Sequence, residues 1–174
     1  MSMFIMFKVS RPLEVPFRHA KGGSKRVEKE HKREFWMARA SVRYRPRQGC
    51  YIFAVKPSRA YQAGYVGMAS TNFEGEVFAD GKLQHYNAFL ADYKKGKPVI
   101  FLILAPRNKG KPNKSKIVAL EKLLILLAKA ENGSLRNKVG TKLPRWGIAG
   151  VLRGRQGKVG PGAKALRQMI GMKE

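Results

Sequence analysis

The middle of the chain carries four side chains whose types suit phosphate chemistry: Tyr51, Tyr65, Lys82 and Tyr86. Lys82 and Tyr86 are four residues apart, so a helix would place them on one face. There an ammonium group and a phenol can contact a phosphate oxygen and orient a water molecule. Each residue is also compatible with simple packing, because tyrosines on neighbouring strands form cross-strand pairs and a lysine can lie above an aromatic ring. The residue types alone leave both interpretations open.

Glu121 is a carboxylate in an otherwise apolar stretch. On a helix, its neighbours three and four positions away are Ile117, Val118, Leu124 and Ile125. A carboxylate on an apolar flank needs compensation, and a divalent cation can supply it. A lysine of the preceding loop can supply it equally well, and the spacing does not decide between the two.

The other potential metal ligands and nucleophiles do not form a motif. His19, His31 and His85 are scattered along the chain, and we assign them no metal. Cys50 is the single cysteine, which excludes an intramolecular disulfide and a cysteine-rich zinc site. It lies in an apolar run and is predicted to belong to the core. This cysteine usage suits a reducing compartment, and we expect a cytoplasmic location.

Apolar and turn residues predict a small mixed fold around these side chains. Residues 50–55 and 64–68 have the composition of two short strands, which are expected to pair as an antiparallel hairpin. Helical spacing over residues 74–93, an apolar strand over 97–105 and an apolar helix over 117–130 follow. We therefore expect an α/β (α+β) fold with a small central, mainly antiparallel three-stranded sheet flanked by helices.

The chain is strongly basic. Its 36 lysines and arginines and 11 acidic residues give a formal net charge of +25. By segment, the net charge is +9 over residues 1–48, +2 over 49–105, +7 over 106–138 and +7 over 139–174. Such an excess repels itself in a folded chain, and a polyanion relieves this repulsion while releasing its own counterions. Nucleic acid is therefore the expected partner, with DNA first and RNA as the alternative.

A membrane is the main rival partner, and the sequence does not favour it. No stretch reaches the roughly 18 uninterrupted apolar residues that suggest a membrane-spanning helix. The apolar opening at residues 3–7 is too short for the core of a signal peptide and has no basic region before it. We therefore expect no membrane partner, and the oligomeric state stays open.

Two basic loops are the expected contacts to the phosphate backbone. One precedes the helix that carries Glu121, and the other is a glycine-rich loop near the C-terminus. The candidate residues are Arg107, Lys109, Lys111 and Lys114 in the first loop and Arg153, Arg155 and Lys158 in the second.

The order of these features resembles the GIY-YIG nuclease superfamily. Two tripeptides on neighbouring strands, a glutamate segment and an asparagine segment carry the resemblance: Gly49-Cys50-Tyr51, Tyr65-Val66-Gly67, Leu120-Glu121-Lys122-Leu123-Leu124-Ile125 and Ser134-Leu135-Arg136-Asn137-Lys138. Asn137 fits the asparagine position best, with Asn132 as a nearby alternative. The resemblance implies a nuclease core over residues 47–138, between a basic N-terminal arm over 1–46 and a basic C-terminal extension over 139–174 that packs on the core.

The resemblance also implies a metal-dependent endonuclease that hydrolyses DNA phosphodiester bonds. In such a site Glu121 would hold a single Mg²⁺ or Mn²⁺. Tyr51 would take the proton of the attacking water, and Tyr65 would help to position that water. A tyrosine has a pKa of about 10, so the general-base role requires nearby positive charge such as that of Lys82. Tyr86 would hydrogen-bond the water or the phosphate, and the asparagine would fix the helix of the glutamate. The tyrosines on the strands, Lys82 and Glu121 are then expected to converge on one concave surface.

The chain departs from the family pattern at positions that matter for catalysis. Cys50 and Val66 replace the middle isoleucines of the two tripeptides and keep apolar strand positions. Lys82 stands where arginine is usual, and Tyr86 stands where histidine is common. A lysine is a point charge without the planar fork of arginine. Two alternatives to a nuclease therefore stay open: a non-catalytic basic nucleic-acid-binding protein on the same scaffold, and an RNA-binding or ribosome-associated protein.

Overall fold

The computed structural model describes residues 5–107, 112–130, 146–151 and 159–172. The strands are β1 Ile5–Val9, β2 Leu13–Glu14, β3 Arg18–His19, β4 Lys25–Arg26, β5 Gly49–Val55, β6 Gln62–Ala69, β7 Pro98–Leu104 and β8 Trp146–Ile148. The helices are α1 Lys29–Met37, α2 Phe73–Glu76, α3 Asp80–Ala91, α4 Lys114–Ala130 and α5 Pro161–Met169, with a short 3-10 turn at Val42–Tyr44.

In the described part of the chain the main sheet has six strands, and the expectation of a small three-stranded sheet is wrong. Its order is β6-β5-β7-β1-β8, and β2 also pairs with β7. The strands β6, β5 and β7 are antiparallel neighbours, as the hairpin and the apolar strand predict. The sheet then continues because β1 and β2 pair antiparallel with β7 and β8 pairs parallel with β1. The mixture of helices and strands fits the expected general class.

The strand β7 accounts for the wider sheet. All seven of its residues are buried, so its second edge also needs a hydrogen-bonding partner. Residues from the start of the chain supply that partner, and Ser10 fastens them. The Ser10 N–H donates to the Leu102 carbonyl at 2.8 Å, and Ser10 Oγ accepts from the Leu102 N–H at 3.0 Å.

Side chains of β5 alternate between the two faces of the sheet and so belong to two separate cores. Cys50, Ile52 and Ala54 pack in the core that α4 and α5 cover. Tyr51 and Phe53 pack in the core that α1 and α3 cover. The helices that follow β6 and β7 therefore lie on opposite faces of the sheet.

Residues from the expected N-terminal arm are part of this fold. Phe35 and Trp36 of α1 are buried on the same face as α3. Lys25 is also buried, and its ammonium group donates to the carbonyl oxygens of Tyr93 and Lys94, both at 2.8 Å. Burial lowers the pKa of Lys25. The segment around β4 is thereby attached to the C-terminal end of α3.

The helical region over residues 74–93 is two helices, α2 and α3, instead of one. The Asn72 side chain accepts from the Gly75 N–H at 2.7 Å and caps α2. The chain turns after α2 and starts again as α3. Tyr86 holds the two together, since its hydroxyl donates to the Val77 carbonyl at 2.5 Å.

Candidate functional site

Tyr51 and Tyr65 lie diagonally across from each other on one face of the sheet. In the pairing of β5 with β6, Tyr51 is opposite Gly67, and Phe53 is opposite Tyr65. The two phenol rings have centroids 6.2 Å apart. Gly67 makes room for the Tyr51 ring, because a Cβ atom there would lie 2.5 Å from Tyr51 Cζ. The glycine of the second tripeptide therefore has a packing role.

Lys82 extends from α3 towards both tyrosines. Its Nζ is 6.0 Å from the ring centroid of Tyr51 and 5.5 Å from that of Tyr65, within the range of cation–π attraction. Burial disfavours the ammonium form, but the two neighbouring phenols favour it. Their combined effect is larger, so the net result is a raised pKa for Lys82. The structure thus brings the predicted lysine together with the two predicted strand tyrosines.

His85 belongs to the same group, although the predicted site does not include it. It stacks on Tyr65 with ring centroids 5.2 Å apart and an interplanar angle of 17°. The side chain is exposed. Its position three residues after Lys82, one helical turn away, is the sequence signal that places it there.

The Tyr51 hydroxyl is buried, and no described atom meets it with hydrogen-bond geometry, although Lys82 and Tyr86 lie close enough to favour its ionised form. Burial raises the pKa of Tyr51 to about 12, and the charge of Lys82 offsets only part of that shift. A general base needs the opposite shift at neutral pH. Tyr51 is therefore a neutral phenol, and its surroundings do not favour the expected role as proton acceptor.

Tyr86 is occupied by packing. Its ring stacks on Phe53, with centroids 4.1 Å apart and an interplanar angle of 6°. Its hydroxyl donates to the Val77 carbonyl, as described for the turn between α2 and α3. Burial, followed by the neighbouring Tyr51, raises the pKa of Tyr86 well above its usual value. The expected hydrogen bond to water or phosphate would require this buried hydroxyl to leave its present acceptor.

Glu121 is carried by a helix on the other face of the sheet. The buried residues of α4 pack in the Cys50 core: Ile117, Leu120 and Leu124. Burial, followed by the charge of Glu121, raises the pKa of the Cys50 thiol. Tyr51 and Lys82 instead influence each other. Of the four side chains expected on one concave surface, the structure brings Tyr51, Tyr65 and Lys82 together and leaves Glu121 apart.

The surroundings of Glu121 offer few protein ligands for the expected Mg²⁺ or Mn²⁺. Mg²⁺ usually keeps several waters and is held by one or two carboxylates together with substrate phosphates, so Glu121 could supply one of its ligands. Within the described ranges, no three His, Cys, Asp or Glu side chains are grouped so that they could hold a metal ion. The tyrosines expected to act beside the cation belong to the opposite core.

The basic loops are described only in part. Arg107 is exposed after β7, and Lys114 is exposed at the first residue of α4. Lys109, Lys111, Arg153, Arg155 and Lys158 lie outside the described residues, as do Asn137 and its alternative Asn132. Arg47 lies close to Arg107. Its pKa is lowered by burial, and the positive charge of Arg107 lowers it further. An anion at this end of β7 would relieve the repulsion between these two cations.

A cationic groove beside α1 was not among the predicted contacts. It has a volume of about 310 Å³ and is lined by Lys29, Lys32, Arg33, Trp36, Met37, Arg45 and Glu74. Five of these residues share one face of α1, at intervals of three and four. That periodicity is present in the sequence, but glutamates alternate with the lysines and arginines over residues 28–34, so the cationic face is not evident from the sequence.

Nothing matched the chain when it was compared with protein-family models, curated proteins and solved structures. The resemblance to GIY-YIG nucleases therefore rests on the two tripeptides, the glutamate segment and the asparagine segment of the sequence alone. Across the ranges that the structure describes, no helix combines the length and apolar character needed to cross a bilayer.

Proposed function

We propose that this protein binds nucleic acid through its cationic surface and does not hydrolyse it through Glu121. The observation that carries the proposal is the imbalance of surface charge. The chain has 36 lysines and arginines against 11 acidic residues. Four of those acids, Glu14, Glu28, Glu74 and Asp80, are already in ion pairs with cationic side chains. The remaining positive charge has too few acidic partners within the chain to neutralise it.

The distribution of exposed cations supports a long ligand over a small one. Exposed lysines and arginines occur on α1, after β7 and on α4, for example Arg33, Arg107 and Lys122. A small anion could neutralise the positive charge at only one of these positions. A polynucleotide can neutralise several at once, and each phosphate contact releases counterions.

The tyrosine face adds groups that suit a nucleic-acid strand. Lys82 is half-buried and keeps its charge, Tyr65 is half-buried beside it, and His85 is exposed on top of α3. A cation next to aromatic rings can contact a phosphate while a ring offers a stacking surface to a base. This contact needs no proton transfer from Tyr51.

Metal-dependent hydrolysis of DNA is the second candidate function. The approach of Tyr51, Tyr65 and Lys82 to one another favours it. The position of Glu121 on the helix that covers the opposite core opposes it. The raised pKa of Tyr51 also opposes it, because the phenol holds its proton at neutral pH.

Fluorescence anisotropy with labelled single-stranded DNA, duplex DNA and hairpin RNA of equal length tests binding. Six or more phosphate contacts should lower the affinity by about 10³-fold or more between 50 and 200 mM salt. A preference for hairpin RNA would favour the RNA-binding alternative. Absence of binding to all three at 50 mM salt would contradict the proposal.

Incubation with supercoiled plasmid and Mg²⁺ or Mn²⁺ tests hydrolysis. We expect the plasmid to stay supercoiled with the native protein and with the Glu121→Gln and Lys82→Ala variants. Nicking by the native protein that both substitutions abolish would establish the second candidate. Nicking that survives Glu121→Gln would remove Glu121 from the site.

A further inference from the structure

The groove beside α1 presents one cationic face of that helix. Lys29, Lys32 and Arg33 lie on this face over the first two turns, and Trp36 and Met37 follow them on the next turn. Arg45 and Glu74, which belong to other parts of the chain, complete its lining. Four cations therefore surround one carboxylate in a concave volume of about 310 Å³.

The single carboxylate of the groove is already engaged. Arg45 Nη2 lies 2.6 Å from Glu74 Oε1. Lys29 reaches Asp80, at the start of α3, at 3.1 Å. Among the described residues, Lys32 and Arg33 have no ion-pair partner. Two cations of the groove are thus left without neutralising charge, side by side on adjacent helix positions.

The two unneutralised cations indicate the kind of ligand that suits the groove. Trp36 also lines the groove, but its indole nitrogen is buried, so the polar contacts to a ligand would come from Lys32 and Arg33. An anion with several oxygen atoms suits two adjacent cations. A phosphate group has several such oxygens, and arginine can bind two of them with its planar fork.

We propose that the α1 groove is a subsite for a backbone phosphate of a nucleic-acid strand, with Lys32 and Arg33 as its principal ligands. This proposal rests on the proposed nucleic-acid binding and adds the place of one contact. Arg45, which Glu74 holds in position, gives the phosphate a further cation on the opposite wall. Met37, whose side chain is 65% exposed, offers apolar surface at the rim to the neighbouring sugar or base.

A double variant, Lys32→Ala with Arg33→Ala, removes the two unpaired cations. Alanine suits a helix, so these exposed and half-exposed positions should keep α1 folded. The matched control is Lys94→Ala with Lys95→Ala, which removes the same charge from exposed positions beyond the C-terminal end of α3. Lys29 pairs with the opposite end of α3, about 18 Å away along the helix.

Affinity for a labelled oligonucleotide at 0.1 M salt is the first readout. Loss of this one phosphate contact should weaken binding about 5- to 8-fold. The log–log salt slope of the groove variant should fall by about 0.7 to 0.9. The control variant should lose about threefold or less, because distant exposed charges are screened at this ionic strength.

Emission from Trp36 is the second readout. Trp146→Phe leaves Trp36 as the single tryptophan of the chain. In that background the oligonucleotide should change Trp36 emission, and the Lys32→Ala, Arg33→Ala pair should suppress the change. Polyglutamate of equal charge should produce a smaller change, because it carries no phosphate.

The outcomes separate this proposal from the one on which it rests. Equal losses in the groove variant and the control, with tight binding by the native protein, would overturn the groove and leave nucleic-acid binding intact. Absence of binding by the native protein would overturn both. A larger response to polyglutamate than to the oligonucleotide would overturn the phosphate assignment in favour of an acidic peptide.

Discussion

Replacing Tyr51 with phenylalanine should stabilise the protein. The Tyr51 hydroxyl is buried without a hydrogen-bond partner among the described residues. An unsatisfied buried polar group costs about 1–3 kcal/mol. Phenylalanine keeps the ring, its contact with Tyr65 and its place over Gly67, and it removes only that hydroxyl. We therefore expect the free energy of unfolding at pH 7 to rise by about 1 kcal/mol or more.

The same substitution should change the response to alkaline pH. The pKa of Tyr51 is about 12 in the folded protein and about 10 in an unfolded chain. Because the folded-state value is raised, the associated stability is complete below pH 10 and is lost as pH rises towards 12. The loss amounts to about 2 kcal/mol by pH 12. Tyr51→Phe lacks this loss, so its advantage over the native protein should widen above pH 10.

Tyr86→Phe provides the matched control on the same face of the sheet. The Tyr86 hydroxyl has an acceptor, the Val77 carbonyl, and its removal should destabilise the protein by about 1 kcal/mol at pH 7. Urea unfolding followed by circular dichroism measures both variants at pH 7, and Tyr51→Phe at several values up to pH 12. If Tyr51→Phe destabilises the protein at pH 7 as much as Tyr86→Phe does, the claim that the Tyr51 hydroxyl makes no stabilising hydrogen bond is refuted.

Three further predictions concern other parts of the fold. Gly67→Ala should destabilise the protein by about 1–3 kcal/mol in urea unfolding, because its Cβ would collide with the Tyr51 ring; an unchanged midpoint would contradict the close approach. Ser10→Ala should lower the free energy of unfolding by about 1–3 kcal/mol, because the Leu102 N–H loses its acceptor; a neutral result would show that the strand is held without it. Glu121→Gln should leave oligonucleotide affinity within about twofold in anisotropy, since Glu121 is half-buried and the effect of one carboxylate outside the α1 groove is screened by salt; a tenfold change would place Glu121 at the ligand.

The central elements of the fold could be predicted from local pattern. The apolar runs of β5 and β7 and the apolar periodicity of α4 each belong to a short stretch of chain. The position of Gly67 opposite Tyr51 follows from the pairing of the two predicted strands. The approach of Lys82 to both tyrosines follows from that pairing together with the helix over them.

The additional strands could not be predicted from local pattern. Residues 5–9 form a strand because the free edge of β7 accepts residues 8 and 9, and this partner is about 95 residues away in the sequence. The register depends on the Ser10 side chain, which bonds Leu102. A short apolar run near the start of a chain carries no local sign of such a partner.

The face of the sheet on which Glu121 lies can be inferred from the apolar character of β5 and β7. Every residue of β5 and β7 is apolar or small and buried, so both faces of the sheet need cover. Because α3 covers the face that carries the tyrosines, the next long apolar helix, α4, is expected to cover the other face of the sheet. The apolar neighbours of Glu121 then indicate which core its helix joins. The family resemblance predicts a single site that includes Glu121 and the tyrosines. The need to cover both faces of the sheet instead predicts that Glu121 and the tyrosines lie on opposite faces.

The salt dependence of oligonucleotide binding tests the central claim most directly. Affinity should be measured by anisotropy at five salt concentrations between 50 and 300 mM, with the native protein and without divalent cations. Contact with six or more phosphates predicts that log K falls linearly with log salt, with a slope of about −4 for single strands or about −5 for duplex DNA, or steeper. A slope near zero, or no binding at 50 mM salt, would contradict a protein whose excess charge serves to hold a polynucleotide.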